Sequence, residues 1–188
     1  MAPKRTLVAA DSVAAEGEAD ATGWSAFEAS LRQYHPDLHA FAYRILGNRQ
    51  DAEDALQAAY LKSFRAAKAR GGSFGLSAPW LYRVVYRCCI DKQREVKRNR
   101  HDFLGPEAED PRAHETSSLV AALSEAVLEL PLDARAVVLL VDVHGLSYEE
   151  AAAVLEVPRG TVASRLNHAR AALRKALSEF APKGDSQP

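Results

Sequence analysis

The apolar residues of this 188-residue chain return at steps of three and four, without strand-like alternation, and one long stretch with few of them divides the pattern in two. Phe27, Leu31, Tyr34, Leu38, Phe41 and Ile45 fall on one helical face. Gly47-Asn48 ends that helix. Asp51 offers a cap for the next, with Glu53 and Asp54 well placed near a positive helix N-terminus, and Leu56, Tyr60 and Phe64 supply its inward stripe. After a Gly- and Ser-rich loop at 71–77, Pro79 suits a first helical turn, and Leu81, Val84, Val85, Cys88 and Ile90 form the apolar side of a third helix whose other side is basic. Residues 101–117 carry Gly105, Pro106, Pro111 and the acids Glu107, Glu109, Asp110 and Glu115, the make-up of a flexible linker. The period resumes with Leu119, Leu123, Val127, Leu128 and Leu130, followed by Pro131 and the apolar run AVVLLVDV, which requires mostly buried helices. The expected fold is all-α: two small helical domains, 25–100 and 118–180, joined by the acidic linker. A disordered leader over 1–24 and a short tail over 181–188 complete the plan.

A composition of 47% hydrophobic and 26% charged residues suits a globular chain with an ordinary core. No apolar run reaches the roughly 20 residues needed to span a bilayer, and the N-terminal residues lack the apolar centre of a signal peptide, so a cytoplasmic protein without membrane insertion is expected. Cys88 and Cys89 are adjacent, which suits neither a disulfide framework nor a four-ligand zinc site; buried thiols are the plainer reading. His35 and His39 stand four apart but have no evident third ligand, and Pro36 lies between them, so no metal and no cofactor are expected.

The net charge of −1 conceals segregation. Between Arg83 and Arg100 seven basic residues face two acidic ones, and between Arg159 and Leu177 there are five basic residues and no acidic one. Two basic helices suit two contacts with a polyanion, although either alone could be a solvated face. The second lies in a helix-turn-helix pattern over 146–175. Ser147 and Glu150 form a capping box that opens a helix over Tyr148–Leu155, Glu156-Val157-Pro158 breaks it, and Thr161 stands where a second helix would be capped. Val162, Leu166, Ala169, Leu173 and Leu177 then face inward. Arg159, Ala163, Ser164, Asn167, His168 and Arg174 are left mainly outward, the earlier of them where a recognition helix meets base edges, while Arg165 and Arg170 suit phosphates at the flank. Any small bundle has corners of this kind, so the pattern alone leaves DNA binding and plain packing both open.

The wording of the sequence narrows the choice. LPLDARAVVLLVDVHGLSYEEAAAVLEVPRGTVASRLNHARAALRKAL resembles region four of extracytoplasmic-function sigma factors, RILGNRQDAEDALQAAYLKSFRA resembles regions 2.1 to 2.2, and PWLYRVVYRCCIDKQR resembles regions 2.3 to 2.4. The resemblance covers roughly residues 25–178. It implies a non-enzymatic protein that directs core RNA polymerase to promoters and helps melt them, under an anti-sigma factor. By matched position, Asp51, Glu53, Asp54 and Gln57 would dock on the clamp of the largest polymerase subunit, with simple dipole complementarity as the alternative for each acid. The flap of the second-largest subunit would be the other contact on core polymerase. The loop with Ser73 and Phe74 would capture a flipped base of the minus-ten element, with Trp80 either beside it or an ordinary core aromatic. Arg83, Arg87, Asp91 and Arg94 would hold the melted strand, Asp91 orienting an arginine. Arg159, Thr161, Ala163, Ser164, Arg165, Asn167, His168 and Arg170 would meet the minus-thirty-five element.

The chain also departs from the family pattern. Ala58 stands where a glutamate is usual, Arg87 replaces an asparagine, Ala163 replaces a lysine or arginine, and Asn167-His168 replaces a pair ending in arginine. Exchanging base-reading side chains shifts discrimination by ~1–3 kcal/mol per base pair, so an atypical minus-thirty-five sequence is expected. A regulator that binds DNA alone would explain the helix-turn-helix but not the first domain, and a helical enzyme lacks a convergent catalytic cluster.

Overall fold

A computed structural model describes residues 19–69, 76–100 and 118–180. All regular structure among them is helical: α1 (Ala19–Leu46), α2 (Arg49–Ala69), α3 (Ala78–Arg100), α4 (Ser118–Glu129), α5 (Leu132–Val138), α6 (Tyr148–Leu155) and α7 (Arg159–Ala176). A π-helical turn, Leu139–Val143, prolongs α5, and a 3₁₀ turn, Ser178–Phe180, follows α7. Helix α1 begins inside the stretch read as leader. The expected linker, most of the leader and the tail lie outside the described residues.

The first bundle is α1, α2 and α3. Gly47, at φ +72°, closes α1 by donating its N–H to the Tyr43 carbonyl at 2.7 Å. Asn48, rather than Asp51, caps α2: its Oδ1 accepts the Asp51 N–H at 3.0 Å, so Asp51 falls in the first turn and supplies charge instead of a cap. Helix α2 buries Ala52, Ala55, Leu56, Ala59, Ser63 and Ala67, small side chains that let α1 and α3 approach. This alanine-rich face also explains why Phe64 is not inward. One residue past Ser63 it is turned about 100° off the buried stripe, and it stays 48% exposed. Ser63 satisfies its buried hydroxyl by donating to the Ala59 carbonyl at 2.8 Å.

In the second bundle, Ala136–Leu140 are buried in unbroken succession, as the apolar run required, while Leu123, Leu128 and Val143 stay exposed. Helix α5 and its π-helical extension therefore run through the middle, with Leu146, Val154, Leu155, Val162, Leu166 and Ala169 packed in the same core. The widened turn closes with His144 N–H to the Leu139 carbonyl and Leu146 N–H to the Leu140 carbonyl, both 2.9 Å.

The two bundles adjoin. Helix α3 lies against α6, and α1 touches α4 and α5. At the junction Tyr82 of α3 hydrogen-bonds His144 Nδ1 at 2.8 Å, and Phe41 meets the Tyr82 ring edge-on at a centroid distance of 5.2 Å. The Arg135 guanidinium donates to the Ile45 carbonyl at 2.7 Å, to Leu130 at 3.1 Å, and to Leu128, joining the end of α1 to the α4–α5 corner. Burial pushes the His144 imidazole down to about 4, since the Arg44 charge reinforces desolvation and Asp37 only partly opposes it.

Candidate nucleic-acid interface

The helix-turn-helix forms as the capping box dictates. Ser147 Oγ accepts the Glu150 N–H at 3.1 Å, and Glu150 returns a carboxylate oxygen to the Ser147 N–H at 2.8 Å. Helix α6 ends at Glu156, whose backbone is left-handed at φ 57°. Pro158 is the cap residue of α7, so Thr161 is not: its N–H already bonds the Pro158 carbonyl at 2.9 Å. Proline supplies the carbonyl that starts the helix and the φ that suits it, which moves the start of α7 up to Arg159.

Val162, Leu166 and Ala169 are buried and Leu173 is half-buried. Arg159, Ser164, Asn167 and His168 are exposed on one side of α7, whereas Thr161, Ala163, Arg165 and Arg170 are half-buried. The arginines differ in what holds them. Arg170 makes a two-pronged pair with Asp142, at 2.5 and 3.1 Å, tying α7 to the π-helical turn. Arg165 reaches Asp133 of α5 at 2.7 Å, and Arg159 reaches Glu149 of α6 at 2.6 Å. Arg165 and Arg170 thus tie α7 to its own bundle, and Ser164, Asn167 and His168 stand exposed on it.

On the first bundle, Arg83 and Arg87 lie one turn apart on α3, and both donate to the same oxygen of Glu156. The two guanidinium groups hold the Glu156 carboxyl below its usual range, through the Arg87 hydrogen bond first and then that of Arg83. Asp91 pairs with Lys62 of α2 at 3.2 Å rather than with an arginine, and Arg94 is exposed. Trp80 is half-buried at the start of α3, while Ser73 and Phe74 lie outside the described residues.

The acids of α2 form a second cluster. Lys92 of α3 binds Asp54 at 2.9 Å, with Asp51 at 3.6 Å and Glu95 at 4.0 Å, and this bond together with Gln50 holds the Asp54 carboxyl below its usual range. Glu53 pairs with Arg49 at 2.8 Å, and Gln57 is exposed. Glu53 and Gln57 also line an open cavity of about 520 Å³ with His35, His39, Leu56 and Tyr60. His35 Nδ1 there hydrogen-bonds the Tyr60 hydroxyl at 2.7 Å. Among the described residues no group of three metal-ligating side chains is assembled, and no helix is long and apolar enough to cross a membrane.

Reasoning from sequence missed Glu156, read only as part of a helix break. The available signal was a carboxylate at a helix C-terminus, where the dipole disfavours negative charge unless cations answer it.

Comparison with known proteins places these features in a family. Residues 31–99 match Sigma-70 region 2, and residues 121–173 match Sigma-70, region 4. The chain is 36% identical to the ECF RNA polymerase sigma factor SigE of Mycolicibacterium smegmatis over 85% of its own length and 66% of the relative's. It is 37% identical to the ECF RNA polymerase sigma factor SigM of Mycobacterium tuberculosis over 81% of its length and 77% of the relative's. Its fold aligns with the sigma factor RpoE of Bartonella quintana, solved in complex with the anti-sigma factor NepR, at a TM-score of 0.67 and 27% identity, covering 82% of this chain and 98% of that one. The region 2 and region 4 matches, together with 37% identity over most of the length of such a sigma factor, make the chain a member of the extracytoplasmic-function RNA polymerase sigma factors.

Proposed function

We propose that this sigma factor, acting in the cytoplasm and without catalytic chemistry of its own, meets core RNA polymerase through α2 and the promoter through α3 and α7. Asp51, Glu53, Asp54 and Gln57 form the α2 face for the clamp of the largest subunit. The exposed apolar residues Leu119, Val120 and Leu123 of α4 offer a surface for the flap of the second-largest subunit. On α3, Arg83, Arg87 and Arg94 take phosphates of the melted minus-ten strand, with Trp80 and the Ser73–Phe74 loop at its edge and Asp91 fixing Lys62 nearby. On α7, Ser164, Asn167 and His168 face base edges of the minus-thirty-five element and Arg159 a phosphate, while Thr161, Ala163, Arg165 and Arg170 set the pose of the helix. An anti-sigma factor holds the protein in reserve, as NepR is bound to the sigma factor whose fold aligns over both bundles.

The observation that carries this reading is the exposed polar face of α7, presented by a capped helix-turn-helix and joined in the same chain to a second basic helix. The test is transcription in vitro. Core polymerase supplied with this protein should initiate at discrete promoters that core alone ignores, and substituting Asn167 and His168 by alanine should redistribute or abolish those starts. Absence of promoter-specific initiation would overturn the reading.

A further inference from the structure

Glu156 is disfavoured locally on two counts. It is the one non-glycine residue with positive φ among the described residues, at a corner where glycine would be unstrained, and its carboxylate ends a helix whose dipole repels it. The side chain nevertheless reaches out of its own bundle to Arg83 and Arg87, which share one of its oxygens. The packing of α3 on α6 and the Tyr82–His144 hydrogen bond hold this corner in register with the two arginines. A carboxylate shared by two guanidinium groups stands in for a phosphate oxygen.

We propose that Glu156 is an internal competitor of promoter DNA: in the free protein its carboxylate occupies the Arg83–Arg87 fork, so the fork can take a strand phosphate only after that carboxylate has left it. This rests on the reading of Arg83 and Arg87 as strand-binding residues. The fork and Glu156 are all partly exposed, with side chains 43–56% accessible, so the contact is a readily displaced occupant rather than a strong bond. The fork is then freed by whatever draws that carboxylate away, polymerase binding above all. The carboxylate keeps the unbound protein from engaging single strands unproductively.

The experiment measures binding of the full-length free protein to a fluorescent short oligothymidylate at low salt, for wild type, E156Q, E156G and each Glu156 variant combined with R83A/R87A. Freeing two exposed pairs is expected to tighten binding about tenfold, and R83A/R87A should cancel the gain. E156G separates this from unfolding, because glycine relieves the left-handed strain and should raise thermal stability while still tightening binding. If E156Q and E156G bind no better than wild type while R83A/R87A still impairs promoter opening by the holoenzyme, the competitor proposal is wrong and the strand-binding reading survives. If R83A/R87A changes neither oligonucleotide binding nor promoter opening, both fall.

Discussion

Replacing His144 by phenylalanine removes a titrating ring from the junction of the bundles while keeping a flat side chain between Phe41 and Tyr82. In the folded protein the imidazole protonates near 4, against an ordinary 6.5. Between these values the unfolded chain binds a proton that the folded one refuses, so stability falls as pH drops through this window and levels off below it. The fall from 6.5 to about 4 corresponds to roughly 3 kcal/mol, at about 1.4 kcal/mol for each tenfold change in proton affinity. Urea unfolding from pH 7 to pH 4 should therefore show wild type losing about 3 kcal/mol more than H144F. The variant itself should lose ~1 kcal/mol at pH 7 through the missing Tyr82 hydrogen bond. The measurement to pair with it is an NMR titration of the His144 ring. Parallel pH profiles for the two proteins, or a ring that titrates near 6.5 in the folded state, would refute the reasoning.

Leu166, fully buried in the face of α7 that meets its own bundle, should cost about 2–5 kcal/mol on L166A, read by chemical denaturation. G47A places a side chain at φ +72°, with its Cβ 3.4 Å from Leu128 Cδ2, and should lower stability by about 1 kcal/mol while leaving the helix content seen by circular dichroism intact. Substitution of Asn167 or His168 by alanine should alter promoter preference at one or two base pairs by ~1–3 kcal/mol each, measured by transcription from a randomised upstream element. R170A should instead weaken all promoters alike and lower thermal stability, because Arg170 is committed to Asp142.

The helices were legible because their signals are local. The Ser147–Glu150 box, the Gly47-Asn48 break and the stripe from Phe27 to Ile45 each lie within a few residues of what they determine, and the structure bears them out. Thr161 failed as a cap because Pro158 does that work three residues earlier, and Phe64 failed as a core residue because alanines carry the buried face of α2. What lay beyond the sequence is pairing at a distance. Tyr82 and His144 are 62 positions apart, and Arg83 and Glu156 are 73 apart. Helical periodicity says that a residue faces inward or outward but not which partner it meets. The charge segregation was visible, yet Arg159, Arg165 and Arg170 of α7 each meet an acid of another element, Glu149, Asp133 and Asp142, which the charge pattern could not assign.

The π-helical turn at Leu139–Val143 acts as a phase shifter. With one residue more than an α-helical turn of the same height, it puts everything after it on a different angular setting from α5. Asp142, within the turn, pairs with Arg170, and His144, just past it, bonds Tyr82. Deleting a single residue within the turn would restore a regular helix and rotate both side chains by about 100°, unfastening the recognition helix and the bundle junction at once. One surplus residue thus sets the timing, along the chain, of two contacts that serve different surfaces.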